Sequence, residues 1–190
     1  MRLFTAIELG EDARGRAGRL IDELRRRAAA MAPDARITWI PPDRLHLTLR
    51  FIGQVDDAGA GRLLHALRQP AGLTPFVVRW GRPGAFPARG APRVLWVGVE
   101  RGTAELEALE AEVSARLASA GLPREERPYR PHLTLARVRE AAGLRAAALF
   151  ERSVPAPGET RVDAITLFES RLSPAGPAYI ALQKTPLRAG

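Results

Sequence analysis

Apolar residues recur every third or fourth position over 12–30, where Ala13, Ala17, Leu20, Ile21, Leu24 and Ala28 fall on one side of a helix. The preceding stretch 2–9, RLFTAIEL, alternates instead and predicts a strand. Further strands are predicted at 36–40 (RITWI) and 45–52 (LHLTLRFI), with Pro41, Pro42 and Asp43 turning the chain between them. A short helix at 57–68 precedes strands at 75–80 (PFVVRW) and 93–99 (RVLWVGV), and the Gly- and Pro-rich GRPGAFPARGAP between those strands predicts a loop. Residues 103–120 carry the clearest helical stripe, Leu106, Leu109, Val113 and Leu117. Thr103 is the expected N-cap, Glu105 and Glu107 favour the first turns, and Gly121 and Pro123 end the helix. A strand at 132–138 (HLTLARV), a helix at 139–150 and strands at 161–169 and 178–183 complete the chain. Strands and helices mix without strict βαβ alternation, so the expected class is α+β.

The 190 residues suit one domain, or two small lobes sharing a core, and 46 % hydrophobic content is enough to bury one without cross-links. There is no cysteine, which removes thiol nucleophiles, zinc–thiolate sites and disulfides and fits a reducing compartment. The first apolar stretch is too short for a signal-peptide core and is followed by Glu8, Glu11 and Asp12, and no run approaches the length of a membrane span. A cytoplasmic protein is expected. The net charge of +8 suits an anionic partner. It is almost all arginine, Lys184 being the only lysine, and Arg14, Arg16, Arg19, Arg25, Arg26 and Arg27 read as the solvated side of the first helix.

Two of the three histidines open the same tetrapeptide, His46–Leu47–Thr48–Leu49 and His132–Leu133–Thr134–Leu135. The chance of Leu-Thr-Leu after a given histidine is roughly one in a thousand from this chain's own composition, so the pair reads as a repeat of function. On a strand, His46 and Thr48 share one side, with Leu45, Leu47, Leu49 and Phe51 on the other. His132 and Thr134 likewise oppose Leu133 and Leu135. Two such strands across a cleft aim two imidazoles and two hydroxyls at one point. In-line displacement at phosphorus needs a base for the nucleophile and an acid for the leaving oxygen, and histidine serves both. The hydroxyls suit the non-bridging oxygens. The symmetry of the motifs leaves acid and base unassigned. His65, in RLLHALR, reads as a helix packing residue. No metal-binding motif, nucleotide-binding loop or well-placed lysine nucleophile is present, so no cofactor or metal is expected.

The paired motifs resemble the two-histidine phosphoesterases, and within them the RNA 2′,3′-cyclic phosphodiesterases, also called 2′-5′ RNA ligases. The resemblance runs through RLFTAIEL, WIPPDRLHLTLRFIG at 39–53, Phe86–Pro87, PRVLW at 92–96, RPYRPHLTLAR at 127–137, LFESRL at 167–172 and GPAY at 176–179. It implies one bilobal domain over 1–190, with two small antiparallel sheets flanked by helices around a central cleft. It also implies hydrolysis of RNA 2′,3′-cyclic phosphate ends to 2′-phosphates. His46 would be the proton donor, His132 the acceptor, and Thr48 and Thr134 the holders of the phosphoryl oxygens. Reverse 2′-5′ ligation without ATP is implied as well.

Further substrate contacts are expected from Arg50, on the side of His46 and Thr48, and from Arg130. Phe51, Phe86 and Tyr129 are candidates to stack on a base. The expected partners are RNA ends or nucleotides with a 2′,3′-cyclic phosphate, and a monomer is the default. One alternative is a related phosphoesterase acting on 2′-5′ linkages or small cyclic nucleotides. Another, of a different class, is an RNA-binding module without catalysis, which has no need of two matched histidines.

Overall fold

The computed structural model describes residues 1–123, 125, 127–151, 156–173 and 176–189. Strand β1 (Arg2–Glu8) leads into helix α1 (Glu11–Met31), whose predicted stripe is buried throughout. Strand β2 (Arg36–Trp39), a 3-10 turn (Pro42–Arg44) and strand β3 (His46–Gln54) follow, then helix α2 (Asp57–Ala66), capped by the Asp56 carboxylate on the Gly59 N–H. Strands β4 (Phe76–Phe86) and β5 (Val94–Arg101) form a hairpin before helix α3 (Thr103–Ser119). Strand β6 (His132–Glu140), helix α4 (Ala146–Phe150) and strands β7 (Glu159–Val162), β8 (Ala164–Ser173) and β9 (Gly176–Pro186) complete the order.

The strands pair in the order β7-β4-β5-β6-β3-β1-β8-β9, with β2 on β6, and the named strands pair antiparallel throughout. The class is α+β, as expected. The sheet has two halves, β7-β4-β5-β6-β2 and β3-β1-β8-β9. They join at a single residue pair, Leu47 with Leu133. Beyond that pair β6 is taken by β2, so the motif strands diverge. One side of the sheet is sealed by the helices. Helix α3 packs beneath β3 and against α2, while α1 lies beside α4, which packs on β4. Leu20, Leu24, Leu47, Leu95, Leu106, Leu109, Leu133 and Leu135 are fully buried there. Burying each such side chain is worth about 1.5–3 kcal/mol. No helix among the described residues is long and apolar enough to cross a membrane.

Four expectations change in detail. The Gly- and Pro-rich 81–86 is not loop but the second half of β4. A register shift between Trp80 and Pro83 lets Pro83 sit opposite Val97 without donating to a ladder. Residues 139–150 are helical only from Ala146, because β6 runs on to Glu140. The strand expected at 161–169 is two strands, broken at Asp163. Thr103 is the first residue of α3, and Gly102, at φ 95°, takes the cap position. There an added Cβ would lie 2.9 Å from the Val77 carbonyl oxygen.

Candidate active site

The two motifs face one another across the junction. Extending the antiparallel register from Leu47–Leu133 sets His46 opposite Thr134 and Thr48 opposite His132. Each histidine thus lies across the junction from the other motif's threonine. All four side chains line a cleft of about 550 Å³ on the open side of the sheet.

The imidazoles are held alike. His46 Nδ1 lies 2.8 Å from the Arg44 carbonyl oxygen and His132 Nδ1 lies 2.7 Å from the Arg130 carbonyl oxygen. A carbonyl only accepts, so each Nδ1 carries its proton and each Nε2 is left to exchange one. In both cases the anchoring carbonyl is two residues before the histidine, on the segment that enters the motif strand.

Aromatic rings wall each imidazole. Phe4 and Tyr179 stand 4.9 and 5.1 Å from the His46 ring, and Phe86 stands 5.4 Å from the His132 ring, backed by Trp96 at 4.9 Å from Phe86. Burial among these rings lowers the His46 pKa below its ordinary value. The Arg137 guanidinium lowers it further, and the Arg44 carbonyl opposes both.

Simple alternation fails one residue past each motif. In β3 both Leu49 and Arg50 are buried, and the register with β1 slips so that Thr5 faces Arg50 while Ala6 faces Thr48. In β6 both Leu135 and Ala136 are buried, and the register with β5 slips at the matching place. These bulges invert the faces beyond them. Phe51, expected on the core side, is 61 % exposed and lines the cleft. Arg50, expected beside His46, is 7 % exposed and turns away from the cleft, where it donates to the Pro123 carbonyl at 2.6 Å. The residue in β6 equivalent to Phe51 is Arg137, which lines the cleft and acts on His46. The sequence reading missed Arg137, and a bulge repeated in both motifs would have been needed to find it.

The other candidates divide. Phe86 lines the cleft. Tyr129 packs behind β3 and donates its hydroxyl to the Thr48 carbonyl oxygen at 3.1 Å. Burial first, then Glu110 and Glu107, raises its pKa, so the phenol stays protonated. That phenol supports the motif strand from below. Arg130 is exposed and lines an adjoining pocket with Tyr129 and Arg50. His65 lies on α2, outside the cleft. A larger cavity of about 760 Å³, between the β4–β5 register shift and α4, holds none of the motif residues. Among the described residues no group of three His, Cys, Asp or Glu side chains is placed to hold a metal ion.

Comparison with known proteins finds likeness along nearly the whole chain. The family model of the 2′-5′ RNA ligase superfamily matches residues 13–173. The chain is 31 % identical over 191 aligned positions to an RNA 2′,3′-cyclic phosphodiesterase of Thermotoga maritima, covering 100 % of this chain and 97 % of that one. It is 35 % identical to a protein of the same name from Aeropyrum pernix, covering 88 % and 93 %. Among solved structures it resembles a Thermus thermophilus protein at TM-score 0.72 and 30 % identity, covering 99 % and 98 %. It also resembles E. coli LigT complexed with 3′-AMP at TM-score 0.69 and 25 % identity, with the same coverage. With its two HLTL strands meeting at one cleft and these likenesses spanning its length, the chain belongs to the 2′-5′ RNA ligase superfamily.

Proposed function

We propose that the chain is a phosphodiesterase that opens RNA 2′,3′-cyclic phosphate ends to 2′-phosphates, with His46 and His132 as its acid and base. The observation that carries this reading is the matched pair of imidazoles, each fixed through Nδ1 and each offering Nε2 to the same cleft. The names of the relatives supply the substrate class.

In this reading His132 Nε2 takes a proton from water as the water oxygen bonds to phosphorus. The bond from phosphorus to the 3′ oxygen breaks, and His46 Nε2 delivers its proton to that oxygen. The phosphoryl group stays on the 2′ oxygen. Thr48 and Thr134 donate to the non-bridging oxygens, and Arg137 balances their growing charge. Burial and Arg137 disfavour the protonated form of free His46, and a phosphate anion seated beside it favours the protonated form that the acid role needs. The reverse reaction, with an RNA 5′ hydroxyl in place of water, uses the same groups with the roles exchanged. One chain carries both motifs, so a monomer covering 1–190 holds a complete site, and the cysteine-free sequence suits the cytoplasm.

The test is incubation, in EDTA, with a short RNA ending in a 2′,3′-cyclic phosphate, followed by mapping of the product end. A 2′-phosphate is expected from the wild type. His46→Ala and His132→Ala should each lower kcat by about 10²–10⁴. An intact cyclic end, or a 3′-phosphate product, would overturn the reading.

A further inference from the structure

Beside the cleft lies a second pocket of about 280 Å³, which shares Thr48, Phe51, Phe86 and His132 with it. Arg50, Glu125, Arg127 and Arg130 line the remainder, with Glu110 and Tyr129. Arg50 reaches this pocket because the β3 bulge turns it off the catalytic side. Its side chain is only 7 % exposed. Only Nη2 is bonded, to the Pro123 carbonyl, while Nε and Nη1 are buried with no hydrogen-bond partner among the described residues. Unpaired buried donors on a cation are costly, so a guanidinium left in this state is poised for an anion.

Of the two carboxylates in the pocket, Glu125 is the one paired with Arg50. The Glu125 carboxylate stands 3.4 Å from Arg50 Nη1, is itself 39 % exposed, and takes an N–H from Arg127 at 3.2 Å. Arg127 foremost, with Arg50 adding to it, lowers the Glu125 pKa, so the carboxylate is charged. A charged carboxylate between two arginines at a pocket mouth occupies the place of an oxyanion. A phosphate fits the same forks and brings a further oxygen.

We propose that this pocket holds the internucleotide phosphate on the 5′ side of the terminal nucleotide, through Arg50 and Arg127, with Glu125 displaced as it enters. The inference rests on the RNA-end reading above and deepens it, because such a site prefers a polynucleotide end to a free cyclic nucleotide. The location suits the path of the chain. The nucleoside leaves the cleft past Phe51 and Phe86, which line both spaces. The class of ligand follows from the charge, since Arg50 keeps two buried N–H groups without a hydrogen bond among the described residues and shares its one carboxylate with Arg127.

The smallest probe pair is 3′-AMP and adenosine 3′,5′-bisphosphate, which differ only by the 5′ phosphate. Calorimetric titration of the wild type should show the bisphosphate binding about tenfold more tightly. The gap should close in Arg50→Met while 3′-AMP binding is kept, and widen in Glu125→Gln. Equal affinities in the wild type would overturn the proposal. So would an Arg50→Met variant that weakens both ligands alike, which is the mark of a residue that only staples the loop at Pro123. Should Arg50→Met fail to fold, Glu125→Gln and Arg127→Ala decide the matter through opposite changes in the gap. Wild-type hydrolysis of a cyclic end without any gap sinks this site alone. A gap without hydrolysis sinks the phosphodiesterase reading and leaves the anion site.

Discussion

His46 and His132 are held by the same backbone bond yet sit in different surroundings. His46 is packed among Phe4, Phe168 and Tyr179 and feels Arg137, while His132 meets Phe86 and Trp96. Two identical tetrapeptides therefore acquire unlike surroundings from residues far away in the chain. A histidine pKa lowered by folding means that the native state binds fewer protons than the unfolded one between the lowered value and about 6.5. The stability His46 contributes is thus fully present above about 6.5 and is lost as pH falls through that window. NMR titration should place the His46 midpoint below the ordinary value. In Arg137→Met the midpoint should move upward, because removing a neighbouring cation favours the imidazolium. A midpoint that stays put would remove Arg137 from the electrostatics of the site.

The elements show where strand periodicity is a reliable guide and where it is not. Through the four motif positions the alternation expected from sequence holds in both β3 and β6, because the leucines must enter the core. One residue later both strands bulge, and Arg50, Phe51 and Arg137 take places that alternation does not foresee. A bulge depends on neighbouring strands and leaves little trace in local sequence. The Gly- and Pro-rich 81–86 misleads in the same way, since its glycines answer to packing. A Cβ on Gly84 would lie 2.5 Å from the Trp96 ring, which backs Phe86 and, through it, His132. Gly84→Ala should cost about 1–3 kcal/mol in denaturant unfolding, as overpacking does, and lower kcat by disturbing the wall of His132. Unchanged stability would show that Trp96 has room to move.

At the scale of the molecule, the two halves of the sheet meet through one pair, Leu47 with Leu133, each almost wholly buried. The histidines flank that pair, so the spacing of the two imidazoles is set by a hydrophobic contact. Leu133→Ala should cost about 2–5 kcal/mol, measured by urea unfolding. Activity per folded molecule should also fall, because the cavity loosens the joint between the motifs. Activity kept in full would mean that the covering helices alone hold the lobes together.

By itself the sequence determined the class of fold, the two strands that hold the repeated motif, and the side of each strand on which His46, Thr48, His132 and Thr134 stand. These follow from local periodicity, the burial of leucine and an exact repeat, all of which are short-range properties. Only the tertiary structure decided that the motifs meet at one residue pair, that Phe51 and Arg137 enter the cleft while Arg50 leaves it, and that burial lowers the His46 pKa. Each of these depends on strand register and on contacts between residues distant in the chain, and local patterning carries no record of either.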